Sequence, residues 1–176
     1  MNRELATTLE SLHPDAFGWA LHCSDGDYGR AEEVLQNAYL KLVRNQLQPT
    51  GGSTVKTWWF GVIRFTAMEE YRKAKFRSSF LGKLISQFVP DSAAEGDPSP
   101  SRQLELNEEG TYLRSLLQQL SPRQAEILHL VFYQDLPLSE AATVMQISLG
   151  SARQHYERGK QRLRELYQPN NEPLPL

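Results

Sequence analysis

Arg153, Gln154, Glu157 and Arg158 follow Ser151 in a stretch whose apolar residues recur at helical spacing. Ala152, Tyr156, Gly159 and Leu163 make the inward stripe of that helix, so the five polar side chains turn outward together with Gln161 and Arg162. Such a set can form directed hydrogen bonds to base edges: a guanidinium bonds guanine in two places, a carboxamide bonds adenine, and either Arg or Lys holds a phosphate. Lys160, Arg162 and Arg164 lie farther along and suit phosphate or solvent. A solvated surface helix would carry the same residue types. A second concentration of usable side chains is VKTWWFGVIRFTAMEEYRKAKFR (55–77), where aromatic and cationic residues interleave. Capture of a single nucleic-acid strand needs stacking surfaces for its bases and positive charge for its backbone, and this stretch offers both. The competing reading is core, and for Trp58 burial is the expectation. Trp59 stays among the candidates for surface contact.

Other chemistries find no support. The sequence holds no nucleophile–base set, Gly-rich phosphate loop or Asp/Glu metal cluster. Neither an enzyme nor a cofactor, metal or small-molecule substrate is expected. Cys23 lies near His13 and His22 at irregular spacing, and an isolated cysteine is ordinarily a small buried hydrophobe. A single cysteine also excludes an internal disulfide. His129 stands beside core positions and reads as structural. The opening MNRELATTLESLHPD lacks the apolar core of a signal peptide, and no apolar run approaches the ~20 residues that span a bilayer. No membrane insertion is expected, and a cytoplasmic location is.

The 176 residues carry a net charge of −2, which excludes an indiscriminate polycation. The charge is unevenly spread: residues 1–50 sum to −3, 51–83 to +5, 84–110 to −5, 111–150 to −1 and 151–176 to +2. Two basic segments are thus parted by an acidic one. Within the acidic segment SQFVPDSAAEGDPSPSR (86–102) is rich in Pro and Ser, and cannot bury enough apolar surface to offset its ordering entropy. A domain boundary is expected there. Just before it Phe80, Leu81, Leu84, Ile85 and Phe88 share a helical face that closes the first domain or docks on a partner.

The chain reads as all-α. The first helix is expected over 14–23, with Pro14 in its first turn. Asp25-Gly26-Asp27 breaks it, and Asp27 can cap a second helix in which Ala31, Val34, Leu35, Ala38, Leu42 and Val43 are apolar. After a loop at 49–53, a third helix is expected from about Thr54 to Arg77. Beyond the linker Leu113, Leu116, Leu117 and Leu120 form a stripe. Ser121, Pro122 and Gln124 spell a capping box at a helix start, with Ile127, Leu128, Val131 and Phe132 following as core. Asp135-Leu136-Pro137 is a turn, and Ser139 is expected to cap a short helix ending at Met145. A tight connection at 146–148 leads to the last helix, expected from Leu149 to Tyr167 with Pro169 as its stop. Short helix, tight turn and longer helix make a helix-turn-helix.

Here the motifs meet a family. LSEAATVMQISLGSARQHYERGKQRLREL resembles the second conserved domain of sigma-70 family factors, above all the extracytoplasmic-function (ECF) group with its "EIAEILGIPEGTVKSRLHRARKRLRE". The preceding LRSLLQQLSPRQAEILHLVFYQDLPLSE is similar to that domain's first half. Independently, RAEEVLQNAYLKLVR (30–44) resembles the family's "DAEDLVQETFLRLWR", and residues 55–77 resemble "FRAWLFRIARNLAIDELRRRRR".

The resemblance implies two small helical domains joined by a flexible linker: a region 2-like domain over 1–85, an acidic linker over 86–103, a region 4-like helix-turn-helix domain over 104–168, and a disordered tail over 169–176. It implies a dissociable subunit that binds core RNA polymerase and directs initiation at promoter DNA. Glu32, Glu33, Gln36, Tyr39 and Leu40 would meet core polymerase. Lys56, Trp59, Arg64, Phe65, Glu69, Arg72 and Lys73 would meet the −10 element. Ser151, Arg153, Gln154, Glu157 and Arg158 would meet the −35 element. The resemblance also implies an anti-sigma factor as a further partner.

The sequence departs from the family pattern in places. Phe65 stands where the family has Asn, Val55 where it has an aromatic residue, Gly61 for Arg and Glu69 for Asp. Ser148-Leu149 replaces Pro-Glu, and Gln154 and His155 replace Ser and Arg. Two other readings stay open on the residues. A conventional helix-turn-helix regulator would leave the match at 28–77 unexplained. A module that binds polymerase or an anti-sigma factor without melting DNA would fit Phe65 and Val55.

Overall fold

A computed structural model describes residues 3–45, 47–49, 52–88 and 115–167 of the chain. The chain divides into two compact units, Met1–Arg102 and Gln103–Leu176. The described residues form helices and connecting turns, with no strand among them. The first unit holds α1 (Arg3–Ser11), α2 (His13–Cys23), α3 (Tyr28–Arg44) and α4 (Val55–Phe88). The second holds α5 (Pro122–Leu128), a π-helical turn (His129–Tyr133), α6 (Leu138–Met145) and α7 (Leu149–Leu166).

In the first unit α2, α3 and α4 pack on one another around Trp19, Leu35, Ala38, Trp59, Phe60 and Ile63. Asp27 caps α3 as expected, its Oδ1 accepting from the Arg30 amide at 3.1 Å. Asp25 and Gly26 make the preceding break with φ of 54° and 82°. α1 is an addition to what the sequence pattern predicts. Its apolar signal is only Leu5 and Leu9, an i,i+4 pair that is buried. Val43, expected in the apolar stripe of α3, is 62 % exposed. It follows Leu42 by one residue, about 100° around the helix, and turns away from the core. α4 runs on to Phe88, beyond the Arg77 expected as its end and into the segment expected as linker. The rest of that segment, like Leu113, the tail beyond Tyr167 and the side chains of Phe80 to Phe88, lies outside the described residues.

In the second unit the capping box forms: the Ser121 amide donates to Gln124 Oε1 at 3.1 Å, and the reciprocal bond is present. Leu128 and Ile127 are buried, but the helix then widens into a π-helical turn through 129–133. That widening shifts the register. Leu130 goes to the core, while Phe132, expected inside, is 62 % exposed and Val131 only half-buried. Gln134, buried at the end of the turn, donates its amide to His129 Nε2 at 3.2 Å. α6 starts one residue before Ser139, and the residue at its N-cap is Pro137, so Ser139 does not cap. Gln146 closes α6 in the left-handed conformation, with φ of 55°.

α7 then crosses α5 closely at Gly159. A Cβ there would lie 2.9 Å from Leu128 Cδ1 and 3.3 Å from Gln124 Cβ. The absence of a side chain is what sets this crossing. Gly159→Val is expected to lower the stability of the second unit by about 1–3 kcal/mol, the usual cost of overpacking. Thermal unfolding checks it, and the loss should be relieved in part by Leu128→Ala.

Candidate functional site

Three surfaces gather the candidate side chains. On α3, burial of Ala31, Val34, Leu35, Ala38 and Leu42 leaves Glu32, Glu33 and Gln36 exposed, with Leu40 47 % exposed beside them. Tyr39 sits at the edge of that face, half-buried. Its ring lies 4.9 Å from that of Trp59 and 6.1 Å from that of His13, and its hydroxyl shares a 3.2 Å hydrogen bond with His13 Nδ1. Burial first, and the Glu10 carboxylate second, push the Tyr39 phenol above its ordinary value, so it stays neutral and anchors the α2–α3 contact. His13 and His22 are both ring-stacking residues here, His22 lying 5.4 Å from Trp19.

On α4 the candidates separate into two groups. Trp59, expected as a surface contact, is fully buried, and Arg64 is 8 % exposed. Neither offers a free face to a partner. Trp58, expected in the core, is the half-buried one. The exchange has a simple cause. Phe60, Ile63, Thr66 and Ala67 define the inward stripe, and Trp59 lies four residues before Ile63 on that stripe. Trp58 is turned about 100° from Trp59, onto the flank of the stripe. Lys56 is also engaged, its Nζ 2.8 Å from Asp15 Oδ2 and 5.5 Å from the centre of the Phe60 ring.

The other group is open. Phe65 is 47 % exposed, Met68 43 %, Tyr71 63 % and Phe76 72 %. Arg72 and Lys73 are exposed, and with Phe76 and Arg77 they line a shallow groove of about 510 Å³. The Glu70 carboxylate holds Lys73 by a 2.9 Å hydrogen bond and, with its charge, raises the ammonium's pKa. Glu69 is paired across to Lys41 of α3, whose Nζ also donates to Thr66 Oγ1 at 3.1 Å.

On α7, Arg153, Gln154, Glu157 and Arg158 are exposed on the face opposite Ala152 and Gly159. Ser148, which replaces Pro in the family pattern, caps this helix: its Oγ accepts from the Ser151 amide at 3.1 Å and lies 3.0 Å from Ser151 Oγ. Behind the helix Tyr156 stacks on Phe132 at 5.8 Å, and Lys160 stands 4.3 Å over the Tyr156 ring while pairing with Glu157 at 2.9 Å. The sequence pattern hides this stack because it places Phe132 in the core.

Two family descriptions match the chain in order: Sigma-70 region 2 over residues 8–77 and Sigma-70, region 4 over residues 116–165. The chain belongs to the sigma-70 family. Within it the chain is an ECF-type sigma factor, a subunit that directs transcription initiation at promoters. It is 28 % identical over 137 residues to the ECF RNA polymerase sigma factor SigM of Bacillus subtilis (strain 168), covering 78 % of this chain and 79 % of that one. It is 27 % identical over 136 residues to the RNA polymerase sigma factor CarQ of Myxococcus xanthus, covering 77 % and 74 %. Its fold is similar to that of the sigma factor RpoE from Bartonella quintana, solved in complex with the anti-sigma factor NepR. The TM-score is 0.67 at 22 % identity, over 96 % of this chain and 99 % of that one. No helix among the described residues is long and apolar enough to cross a membrane.

The burial of the two tryptophans separates core from surface roles. Trp59→Ala is expected to cost about 3–5 kcal/mol, the range for a large core truncation. Trp58→Ala should cost clearly less, as read by urea unfolding of the two variants.

Proposed function

We propose that this sigma factor divides its work among the three surfaces. The acidic face of α3, Glu32, Glu33 and Gln36 with Leu40, docks on core polymerase, and Tyr39 supports it from the edge. The exposed part of α4, Phe65, Arg72 and Lys73, meets the opened −10 element. Arg153, Gln154, Glu157 and Arg158 of α7 read the −35 element in the major groove. The proposed domain limits are 1–85 and 104–168, with a linker between and a tail after 168. The protein works in the cytoplasm, where polymerase is, and performs no catalysis itself.

The observation that carries this reading is the simultaneous exposure of both motif faces. α3 buries its apolar stripe and α7 buries Ala152 and Gly159, with Tyr156 and Leu163 half-buried, and both leave the family-matching polar residues on the opposite side. A regulator built on the helix-turn-helix alone would not need the α3 face. The Bartonella sigma factor was solved together with an anti-sigma factor, and an anti-sigma factor is accordingly a proposed partner here as well.

Two substitutions test the division. Glu32→Lys with Glu33→Lys reverses charge on an exposed face without touching a core residue. It is expected to lower affinity for core polymerase at least about 10-fold while the melting temperature stays unchanged, and unaltered affinity measured by titration with core would refute the interface. Arg153→Ala is expected to cost about 1–3 kcal/mol of discrimination at one base pair upstream, the value of one bidentate contact. Transcription from promoters with altered −35 sequences measures it, with core binding as the control. Equal losses in both would count against the assignment of α7.

A further inference from the structure

We propose that the outer face of Phe65 is a stacking site for one unpaired nucleobase of single-stranded DNA, and that Lys41 is the positioning residue that holds the ring. This rests on the reading of α4 as the −10 surface and specifies its chemistry. Phe65 is 47 % exposed although Arg64, Thr66 and Ala67 around it are buried. The ring is nevertheless held. Lys41 Nζ lies 5.2 Å from its centre, and that ammonium is itself fixed by Glu69 and by Thr66 Oγ1 at 3.1 Å. One side of the ring is therefore backed by a cation from a neighbouring helix. A platform ordered in this way before binding loses less entropy when a ligand arrives. Glu69 offsets the charge of Lys41, so the lysine contributes placement more than attraction for phosphate.

The surroundings fit a single strand. Phe65, Met68, Arg72 and Phe76 recur every three or four residues and share one stripe of α4. At 1.5 Å of rise per residue, Arg72 lies about 10 Å and Phe76 about 16 Å along the axis from Phe65. Residues 71–79 are all exposed and carry four cations and no carboxylate. Alternating apolar faces and positive charge suit a polyanion whose bases are free to stack. A duplex keeps its base faces inside, and an apolar protein segment would leave the cations unmatched. Phenylalanine has no group to bond a base edge, so the seated base is selected by stacking strength and not by its donor–acceptor pattern. The Asn usual at this position could bond an edge.

The test uses holoenzyme assembled from core polymerase and the full chain, with permanganate reactivity of unpaired thymines in the −10 region as the readout. Phe65→Leu is expected to lower the open-complex fraction about 10-fold, on the scale of one lost base–aromatic stack. Phe65→Tyr should retain it, and affinity for core should be the same in all variants. Lys41→Met should lower opening several-fold in the wild-type background and have no added effect beside Phe65→Leu, because it acts through the ring. Phe65→Leu that opens DNA as well as the wild type overturns the stacking site. A full Lys41→Met loss beside Phe65→Leu overturns the positioning role. Opening that is untouched by Arg72→Ala with Lys73→Ala overturns the −10 assignment beneath both.

Discussion

Trp19 donates its indole N–H to the carbonyl of Phe60 at 3.0 Å, inside the first unit and out of reach of water. A helix carbonyl has two lone pairs and its own helix uses one, so the bond joins α2 to α4 without breaking either. The Trp19 and Phe60 rings also lie 6.0 Å apart and nearly parallel, at 17°. This contact fixes the rotation of α4 about its axis. Once Phe60 faces α2, Ile63 and Ala67 must face inward too, and Phe65, Arg72 and Phe76 must face out. The face proposed for DNA is thus set by a bond on the opposite side of the helix.

Polar links reinforce the same arrangement at the rim. Asp15 on α2 holds Lys56, and Lys41 on α3 holds Glu69 and Thr66, so each neighbouring helix grips α4 at a different height. All four charged side chains are partly solvated, so each pair adds little to stability. Their effect is geometric. They engage Lys56 and Glu69 within the unit, whereas Arg72 and the cations after it are exposed, Lys73 among them being paired to its own helix neighbour Glu70.

How far the sequence revealed this differs from residue to residue. Local chemistry was legible: Asp27 and Ser121 cap where their side chains imply, and the exposed polar set on α7 follows from the apolar stripe behind it. What depended on rotation was not. The adjacent Trp58 and Trp59 offer the same side chain at positions about 100° apart, and only packing against α2 and α3 decides which goes inside. The π-helical turn at 129–133 leaves no sequence mark, yet it exchanges Leu130 for Phe132 at the core. α1 leaves only two leucines as its signal, too faint a pattern for a helix that gains its order from packing.

The cap on α7 orders its first turn before any partner arrives. Ser148 Oγ already holds both the amide and the hydroxyl of Ser151. A hydroxyl carries one donor and two acceptor sites, so this link orients the Ser151 side chain and leaves it capacity for a further hydrogen bond. Arg153, Gln154, Glu157 and Arg158 stand exposed past that turn, so the cap fixes where the helix begins and the side chains proposed for base contact are carried on a frame already set.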